Sequence, residues 1–544
     1  MLNDAGRRTA AGTAAAAVAL GAAAMGTPAA AAERAAPQAA APQSAPQRAP
    51  QTALAPRALA WKACPAKDPV EGTRLKGLQC ASLQVPLDYA RPDGEKVTLA
   101  LTRARHTAAK SQGAVLLNRG GPGAHGRDLP AFFTRSLPKR VAASYDWIGF
   151  DPRGVGASRP ELICDPGYQD PGRARQDTVP ASTAEEQAWT AGAKAFADDC
   201  GRRYGKVLPH MGTADWARDM DAIRRALGQR KISYFGYSYG TYLGAVYATM
   251  YPGHVRRMVL DSVVKPSGVW YQDNLDQNVA FEKRIRAYFA WIARHHKVYA
   301  LGDTGQKVAD AYARVRASLK LKPIDGRIGP SELDDVFLAD GYADYAWPDH
   351  ARALSAFAVR HDAGPLRKAW EPLTRLDQNN YTVYNAVQCR DAAWPRDWAR
   401  WHADSRRLYR AGNRFETWSN TWYNAPCAFW PVQGGPAPRV QGPSSLPPIL
   451  LVQGTDDAAT PYPGALEMHR RLPTSRLLVQ DGGHNHGVSF SGDECVDRHV
   501  AAYLGTGELP PNRLGPDARC TAGPAPEPAA GKEPGRAGQG PANR

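Results

Sequence analysis

The stretch YFGYSYGTYLG, residues Tyr234–Gly244, places Ser238 between Gly236 and Gly240. A β-rich run, ISYF (232–235), precedes this G-x-S-x-G pattern, and small and apolar residues at helical spacing follow it. In such a pattern the chain turns sharply from a strand into a helix, and the flanking glycines relieve the crowding in the turn. We predict that Ser238 is a nucleophile at the carboxyl end of a strand. The alternative is an ordinary serine in a glycine-rich turn.

Apolar runs on both sides of this stretch predict a parallel sheet. They are AVLLN (114–118), YDWIGFD (145–151) and RRMVLDSVV (256–264). Short apolar runs that end in loops are typical of strands buried on both faces. Between them, TADWARDMDAIRRALG (213–228) repeats apolar residues at helical spacing and ends at a capping Gly228. The alternation of strand and helix favours an α/β fold.

The pattern changes after Pro266. Residues 267–440 are rich in Trp, Tyr, Arg and Ala, are mainly helical in pattern and contain no comparable strand run. Strand runs resume at PILLVQG (448–454) and SRLLVQD (475–481). We therefore predict a core in two parts, 58–265 and 442–520, with a helical lid inserted at 266–441.

Both ends of the chain lie outside this predicted core. Arg7 and Arg8 precede a short alanine-rich run and small residues, which is typical of a secretory signal peptide at 1–32. The run is too weak for a stable membrane anchor, and the adjacent arginines leave both Sec and Tat export open. The Ala/Pro/Gln-rich segment 33–57 is predicted to be a pro-segment or spacer, and 521–544 a disordered tail. We expect a secreted, extracellular protein.

The eight cysteines favour disulfides in an exported chain. Sequential pairs close short loops, so we predict the pairs Cys64–Cys80, Cys164–Cys200, Cys389–Cys427 and Cys495–Cys520. No zinc-type C-x-x-C occurs, and we expect no metal. The net charge of +16 is spread along the chain, which favours weak non-specific contacts and argues against a nucleic-acid partner.

A serine nucleophile needs a base to take its proton and a carboxylate to orient that base. Asp456 and Asp457 follow the run at 448–454, and His484 and His486 follow the run at 475–481. This order along the chain is that of α/β-hydrolases. The alternatives are a turn or helix cap for the aspartates and a polar surface loop for the histidines.

The oxyanion of a tetrahedral intermediate also needs hydrogen-bond donors. One is predicted to be the backbone N–H of Tyr239, directly after the nucleophile. The second is expected from the loop NRGGPGAHG (118–126), at Gly121. The alternative for this loop is phosphate binding, but it contains neither GK[ST] nor G-x-G-x-x-G. We expect no nucleotide and no other cofactor.

Four longer motifs resemble the secreted tripeptidyl aminopeptidases of actinobacteria. They are GGPG (120–123), DWIGFDPRGVGAS (146–158), GYSYGTYLGAVYATMYPGHVRRMVLDSVV (236–264) and QGTDDAATPYPGA (453–465). The resemblance runs from about 61 to 520. It implies an α/β-hydrolase fold with a mostly parallel sheet and a TAP-like C-terminal region. It also implies peptide substrates with a free amino terminus and no metal or organic cofactor. By the family pattern, Asp457 matches the acid and His486, followed by Gly487, matches the base.

One position departs from the family pattern. Gln388 stands before Cys389, where related peptidases have a glutamate that could face the substrate ammonium. Asp391 or another lid carboxylate is the alternative receptor. The competing functions are a secreted carboxylesterase, since the same triad serves esters, and a catalytically silent binding protein.

Overall fold

The computed structural model describes residues 59–168, 170–375 and 378–528. The predicted signal peptide and spacer, 1–32 and 33–57, lie outside the described residues. A sheet of ten strands crosses the described chain in the order β1-β2-β3-β5-β4-β6-β7-β8-β9-β10. The strands are β1 (Lys62–Ala63), β2 (Gln79–Pro86), β3 (Lys96–Ala104), β4 (Ala114–Asn118), β5 (Asp146–Asp151), β6 (Ile232–Tyr237), β7 (Val255–Asp261), β8 (Ile449–Gly454), β9 (Arg476–Asp481) and β10 (Ala518–Thr521).

Parallel pairing joins β5, β4 and the strands from β6 to β10, whereas β1, β2 and β3 pair antiparallel at one edge. The helices are α1 (Leu129–Ser136), α2 (Lys139–Ala142), α3 (Thr183–Tyr204), α4 (Thr213–Ala226), α5 (Tyr239–Met250), α6 (Tyr271–Arg294), α7 (His296–Tyr299), α8 (Gly305–Leu321), α9 (Pro330–Tyr342), α10 (Trp347–Arg360), α11 (Gly364–Trp370), α12 (Gln378–Asp391), α13 (Trp398–Arg410), α14 (Thr417–Asn424), α15 (Pro426–Phe429), α16 (Pro463–Arg471) and α17 (Glu494–Thr506). The predicted α/β-hydrolase fold with a mostly parallel sheet is confirmed.

The central strands are buried and mainly apolar because both faces of the sheet are covered. Along β6, Tyr234 packs into one core with Met220 of α4 and Leu243 of α5. The next residue, Phe235, packs on the opposite face with Phe133 of α1. Alternate side chains therefore enter different cores, which favours apolar residues at successive positions. Ser233 is the polar exception on β6, and it is fully buried.

The edge strands differ from the central ones, and the sequence pattern did not reveal them. Gln79–Pro86 is largely half-exposed and carries polar residues between apolar ones. Ala518–Thr521 has four residues, too few for a periodic signal. These strands form because the sheet offers unpaired backbone groups at its edges, a cause that lies outside their own sequence.

Between β7 and β8 the described chain is helical. The helices α6 and α8 to α11 enclose a hydrophobic core of their own, with Tyr288, Trp291 and Phe337 among its buried residues. By contrast, α12 contributes Tyr381 and Val387 to the core of the sheet. The segment predicted as a lid thus contains two differently packed parts.

The four predicted disulfide pairings are confirmed, and they use all eight cysteines. The chain remains packed beyond Cys520, where the predicted tail begins. Ala525 lies against the insert core, and Trp291 Nε1 donates a hydrogen bond of 2.9 Å to Pro526 O. Thr521 belongs to β10, and Ala522 N donates to Asp481 O at 2.9 Å. The tail from 529 onward lies outside the described residues.

Across the described ranges, the search for membrane spans finds no helix with the length and apolar character needed to cross a bilayer.

Candidate active site

Ser238 occupies the sharp turn between β6 and α5. Its φ of 56° and ψ of −126° lie in a region that non-glycine residues rarely adopt. The turn is held by the Ser238 N–H, which donates to Asp261 O at 2.9 Å. A Cβ on Gly236 would approach Gly240 O to 2.5 Å, and one on Gly240 would approach Asn118 Oδ1 to 2.8 Å. Both flanking glycines are therefore required by close backbone packing.

Asp457 and His486 meet at the carboxyl ends of β8 and β9. His486 Nδ1 lies 3.0 and 2.9 Å from the two carboxylate oxygens of Asp457. The same carboxylate accepts hydrogen bonds from Ala459 N, Thr460 N and Thr460 Oγ1. Both side chains are buried, with exposures of 2% for His486 and 0% for Asp457. The carboxylate can thus fix the imidazole in one orientation.

The second ring nitrogen of His486 remains available for chemistry. Nε2 is buried and has no hydrogen-bond partner among the described residues. Ser238 Oγ therefore does not bond to it in this conformation. Catalytic hydrogen bonds are commonly longer before substrate binds. The structure thus brings Asp457 and His486 into contact and leaves His486 without a bond to Ser238.

Hydrogen bonds to residues at the end of β7 connect the histidine loop to the serine turn. Asp261 accepts hydrogen bonds from Val488 N at 2.9 Å and Ser489 N at 2.6 Å, while Ser262 Oγ accepts one from Gly487 N at 2.7 Å. Burial raises the pKa of the Asp261 carboxyl, and these hydrogen bonds act against that rise. Sequence reasoning missed Asp261, although an aspartate that ends an apolar strand run was a visible signal.

Asp456 and His484, the alternatives to Asp457 and His486 in the two loops, have other partners. Asp456 receives a hydrogen bond from Lys283 on α6. Partial burial acts to raise the pKa of Asp456, but the Lys283 ammonium outweighs burial and the pKa lies below its usual value. His484 pairs with Asp344 of the helical insert at 2.5 Å. Of the four predicted loop residues, only Asp457 and His486 are joined to each other.

The predicted oxyanion residues line the same cavity as Ser238. Tyr239 and Gly121 both contribute to its wall. The glycine loop lies against the serine turn, since a Cβ on Gly120 would be 2.8 Å from Ser238 Cβ and 3.3 Å from Tyr239 N. The backbone of the loop therefore packs directly against the serine turn.

We expect Gly120→Ala to lower kcat by about two orders of magnitude or more, since displacing oxyanion donors costs roughly that much. Gly120 has a φ of 106°, and an added Cβ would also meet Tyr237 O at 2.7 Å, so the loop must move away from Ser238. Steady-state kinetics checks this result. Gly253→Ala is the matched control, because a Cβ there meets nothing within 4 Å, and unchanged kinetics in Gly120→Ala would contradict the placement of the loop.

A cavity of about 1030 Å³ extends from Ser238 between the sheet and the helical insert. Gln388 of α12 lines it, and the Gln388 Oε1 atom is buried with no hydrogen-bond partner in the part of the chain that the structure describes. Asp391, the alternative ammonium receptor, does not line it. Its carboxylate instead accepts bonds from Thr213 N, Thr213 Oγ1 and Trp270 Nε1. Burial raises the pKa of Asp391 to about 6 against these bonds, and we assign it a structural role.

Comparison with known proteins places this chain among serine hydrolases. A family profile described as TAP-like protein matches residues 414–520. The chain is 44% identical to a tripeptidyl aminopeptidase of Streptomyces lividans, over 79% of this chain and 82% of that protein. It is 34% identical to the serine protease Hip1 of Mycobacterium tuberculosis, over 80% and 86%. It is also 32% identical to a protein of that organism named carboxylesterase B, over 84% and 89%.

Proposed function

Because the chain belongs to the family of the tripeptidyl aminopeptidases, we propose that it is a secreted serine peptidase that releases short peptides, tripeptides among them, from free amino termini. The observation that carries the proposal is the buried Asp457–His486 pair, which follows the parallel strands β8 and β9 at the same edge of the sheet as the Ser238 turn after β6. The family likeness supplies the class of substrate.

In the proposed reaction Ser238 Oγ attacks the carbonyl carbon of the scissile peptide bond. His486 Nε2 takes the hydroxyl proton, since Nδ1 is held by Asp457 at 2.9 Å. The carboxylate keeps the proton on Nδ1 and stabilises the imidazolium that forms. Backbone N–H groups of Tyr239 and Gly121 stabilise the oxyanion.

Collapse of the intermediate breaks the C–N bond. His486 Nε2 returns its proton to the leaving amine, and the acyl group stays on Ser238 Oγ. Water then attacks the ester with His486 again as base, and release of the acid restores the serine hydroxyl. Each step uses the same buried pair, which explains why both side chains need to be fixed.

The substrate's amino terminus requires a receptor inside the cavity. Burying an ammonium without partners costs roughly several kcal/mol. Gln388 Oε1 is a free acceptor in the cavity wall, and we propose that it takes one ammonium hydrogen bond. Asp273 lines the same cavity, and its Oδ2 atom is likewise buried without a partner. Burial raises the pKa of Asp273 well above its usual value, and an incoming ammonium would favour its charged form.

We expect unblocked tripeptide anilides to be cleaved faster than their N-acetylated forms, by about tenfold for each 1.4 kcal/mol of ammonium recognition. Comparison of kcat/KM for the two forms, with product masses, measures the ratio and the number of residues released. In Gln388→Ala the ratio should fall, since only the unblocked substrate uses that acceptor. Equal rates for both forms would contradict recognition of a free amino terminus.

A carboxylesterase is the second candidate, favoured by the relative that bears that name. The proposed triad and oxyanion groups act on esters as well as on peptides. The same assay separates the two, because a preference for simple acyl esters over unblocked peptides would select the esterase.

Secretion is the remaining part of the proposal. The four disulfides leave no free cysteine, which is usual for proteins of oxidising compartments and rare in the cytosol. Recovery of the enzyme from culture medium, with its mature amino terminus sequenced, tests it.

A further inference from the structure

The helical insert forms hydrogen bonds with the loop that carries His486, the proposed base. His486 N donates to Tyr342 O at 2.7 Å. Asp344 N donates to Asn485 Oδ1 at 3.0 Å. His484 Nε2 lies 2.5 Å from Asp344 Oδ2. We call these contacts, between residues 342–344 and 484–486, the clasp. It joins the insert to His486 itself and to the two residues before it, His484 and Asn485.

The clasp also connects the base to the substrate cavity. Tyr342, the last residue of α9, lines the cavity. Its ring packs edge-on against the His486 ring with 5.5 Å between centroids. A shift of this turn would therefore move the imidazole that acts on Ser238. Misplacements of about 1 Å in catalytic groups cost up to about a hundredfold in rate.

Both ring nitrogens of His484 face hydrogen-bond acceptors. Nδ1 lies 2.9 Å from Gly482 O, and Nε2 faces the Asp344 carboxylate. A carbonyl and an ionised carboxylate can only accept, so both bonds form together only when His484 carries a proton on each nitrogen. His486 differs, because its Nε2 has no partner. The geometry points to an imidazolium at His484.

Charged groups from two elements surround the His484–Asp344 pair. Asp344 in the turn between α9 and α10 and Asp456 after β8 face His484 with negative charge, while Arg284 and Lys283 of α6 act on those two carboxylates. Burial acts to raise the pKa of Asp344, but the bond from His484 and the positive charges outweigh it, so the pKa is lowered and the carboxylate is ionised.

An aromatic ring also contacts His484. Trp347, at the start of α10, stacks on the His484 ring with 6.2 Å between centroids and 13° between planes. The face of an indole attracts a cation. The Arg284 guanidinium also lies over this indole, 4.2 Å from the ring centroid.

We propose that Asp344 and His484, joined as carboxylate and imidazolium, are positioning residues that hold the catalytic loop, and with it His486, through the clasp. The proposal rests on the proposed role of His486 as base.

Inactivation by a fluorophosphonate tests the clasp apart from peptide recognition, because the reagent needs a reactive serine and no ammonium. In Asp344→Ala the inactivation rate constant should fall about tenfold at neutral pH, as expected for a displaced general base. In Asp344→Asn the amide can donate to a neutral His484 and keep the clasp closed. That variant should therefore stay within about twofold of wild type at neutral pH, a rescue that a merely structural role of the aspartate would not predict.

His402→Asn is the matched control. His402, in the same insert, pairs with Glu186 at 2.7 Å and also contacts Arg406 and Trp418, none of which belongs to the clasp, so its loss should leave the rate unchanged. A rate constant in Asp344→Asn as low as that of Asp344→Ala would overturn the proposal, as would a lowered thermal midpoint of unfolding in Asp344→Ala with an unaltered rate. Failure of the proposed function would look different, since wild type would then label at a serine other than Ser238 or prefer acetylated peptides.

Discussion

Ser238→Ala abolishes peptide hydrolysis and labelling by fluorophosphonates, and this is the largest effect that we expect. The substitution removes the attacking oxygen, and no other group at the turn can form the acyl intermediate. Removal of a triad member leaves only about 10³- to 10⁴-fold catalysis over water from oxyanion donors and binding. Assays of turnover and intact-protein mass after labelling measure the loss.

The folded state should survive this substitution. The Ser238 N–H still donates to Asp261 O, and alanine only removes a hydroxyl. The backbone strain at residue 238, with a φ of 56°, is the same in the wild type and in the alanine variant. Ser182→Ala is a suitable control, since Ser182 is an exposed helix cap that accepts from Glu185 N and should keep full labelling. Labelling that persists at another serine in Ser238→Ala would show that Ser238 is not the nucleophile.

His486→Ala should lower kcat by about four orders of magnitude or more, because the serine loses its base and the leaving amine its acid. The neighbouring His484→Ala should cost much less, about tenfold, since His484 acts through position alone. The two histidines lie two residues apart in one loop, which makes them a matched pair. Steady-state kinetics at saturating substrate separates them.

The opposite ranking would place the base at His484. It would also conflict with the geometry, because His484 Nε2 is occupied by Asp344 whereas His486 is held by Asp457. Circular dichroism of both variants checks that each is folded, so that a loss of rate refers to chemistry.

Local motifs made much of this molecule predictable. The serine turn depends on glycines within two residues of Ser238, and the central strands are marked by their own apolar runs, so the information lies in short segments. The cysteine pairing was also predictable, because pairs adjacent along the chain close the shortest loops. The edge strands were not, since Gln79–Pro86 has a half-exposed surface and owes its conformation to its neighbour in the sheet.

The sequence by itself determined the fold class, the serine turn and the loops in which an acid and a base would be found. Only the tertiary structure decided which residues of those loops meet: Asp457 with His486, His484 with Asp344, and Asp261 with the backbone beyond Gly487. The partners in these last two contacts are 140 and 227 positions apart. Periodicity and turn chemistry act over a few residues, whereas a hydrogen bond between distant segments depends on how the whole sheet and its insert pack. The same packing decided that Asp391 binds Thr213 and Trp270 and that Gln388 faces the cavity.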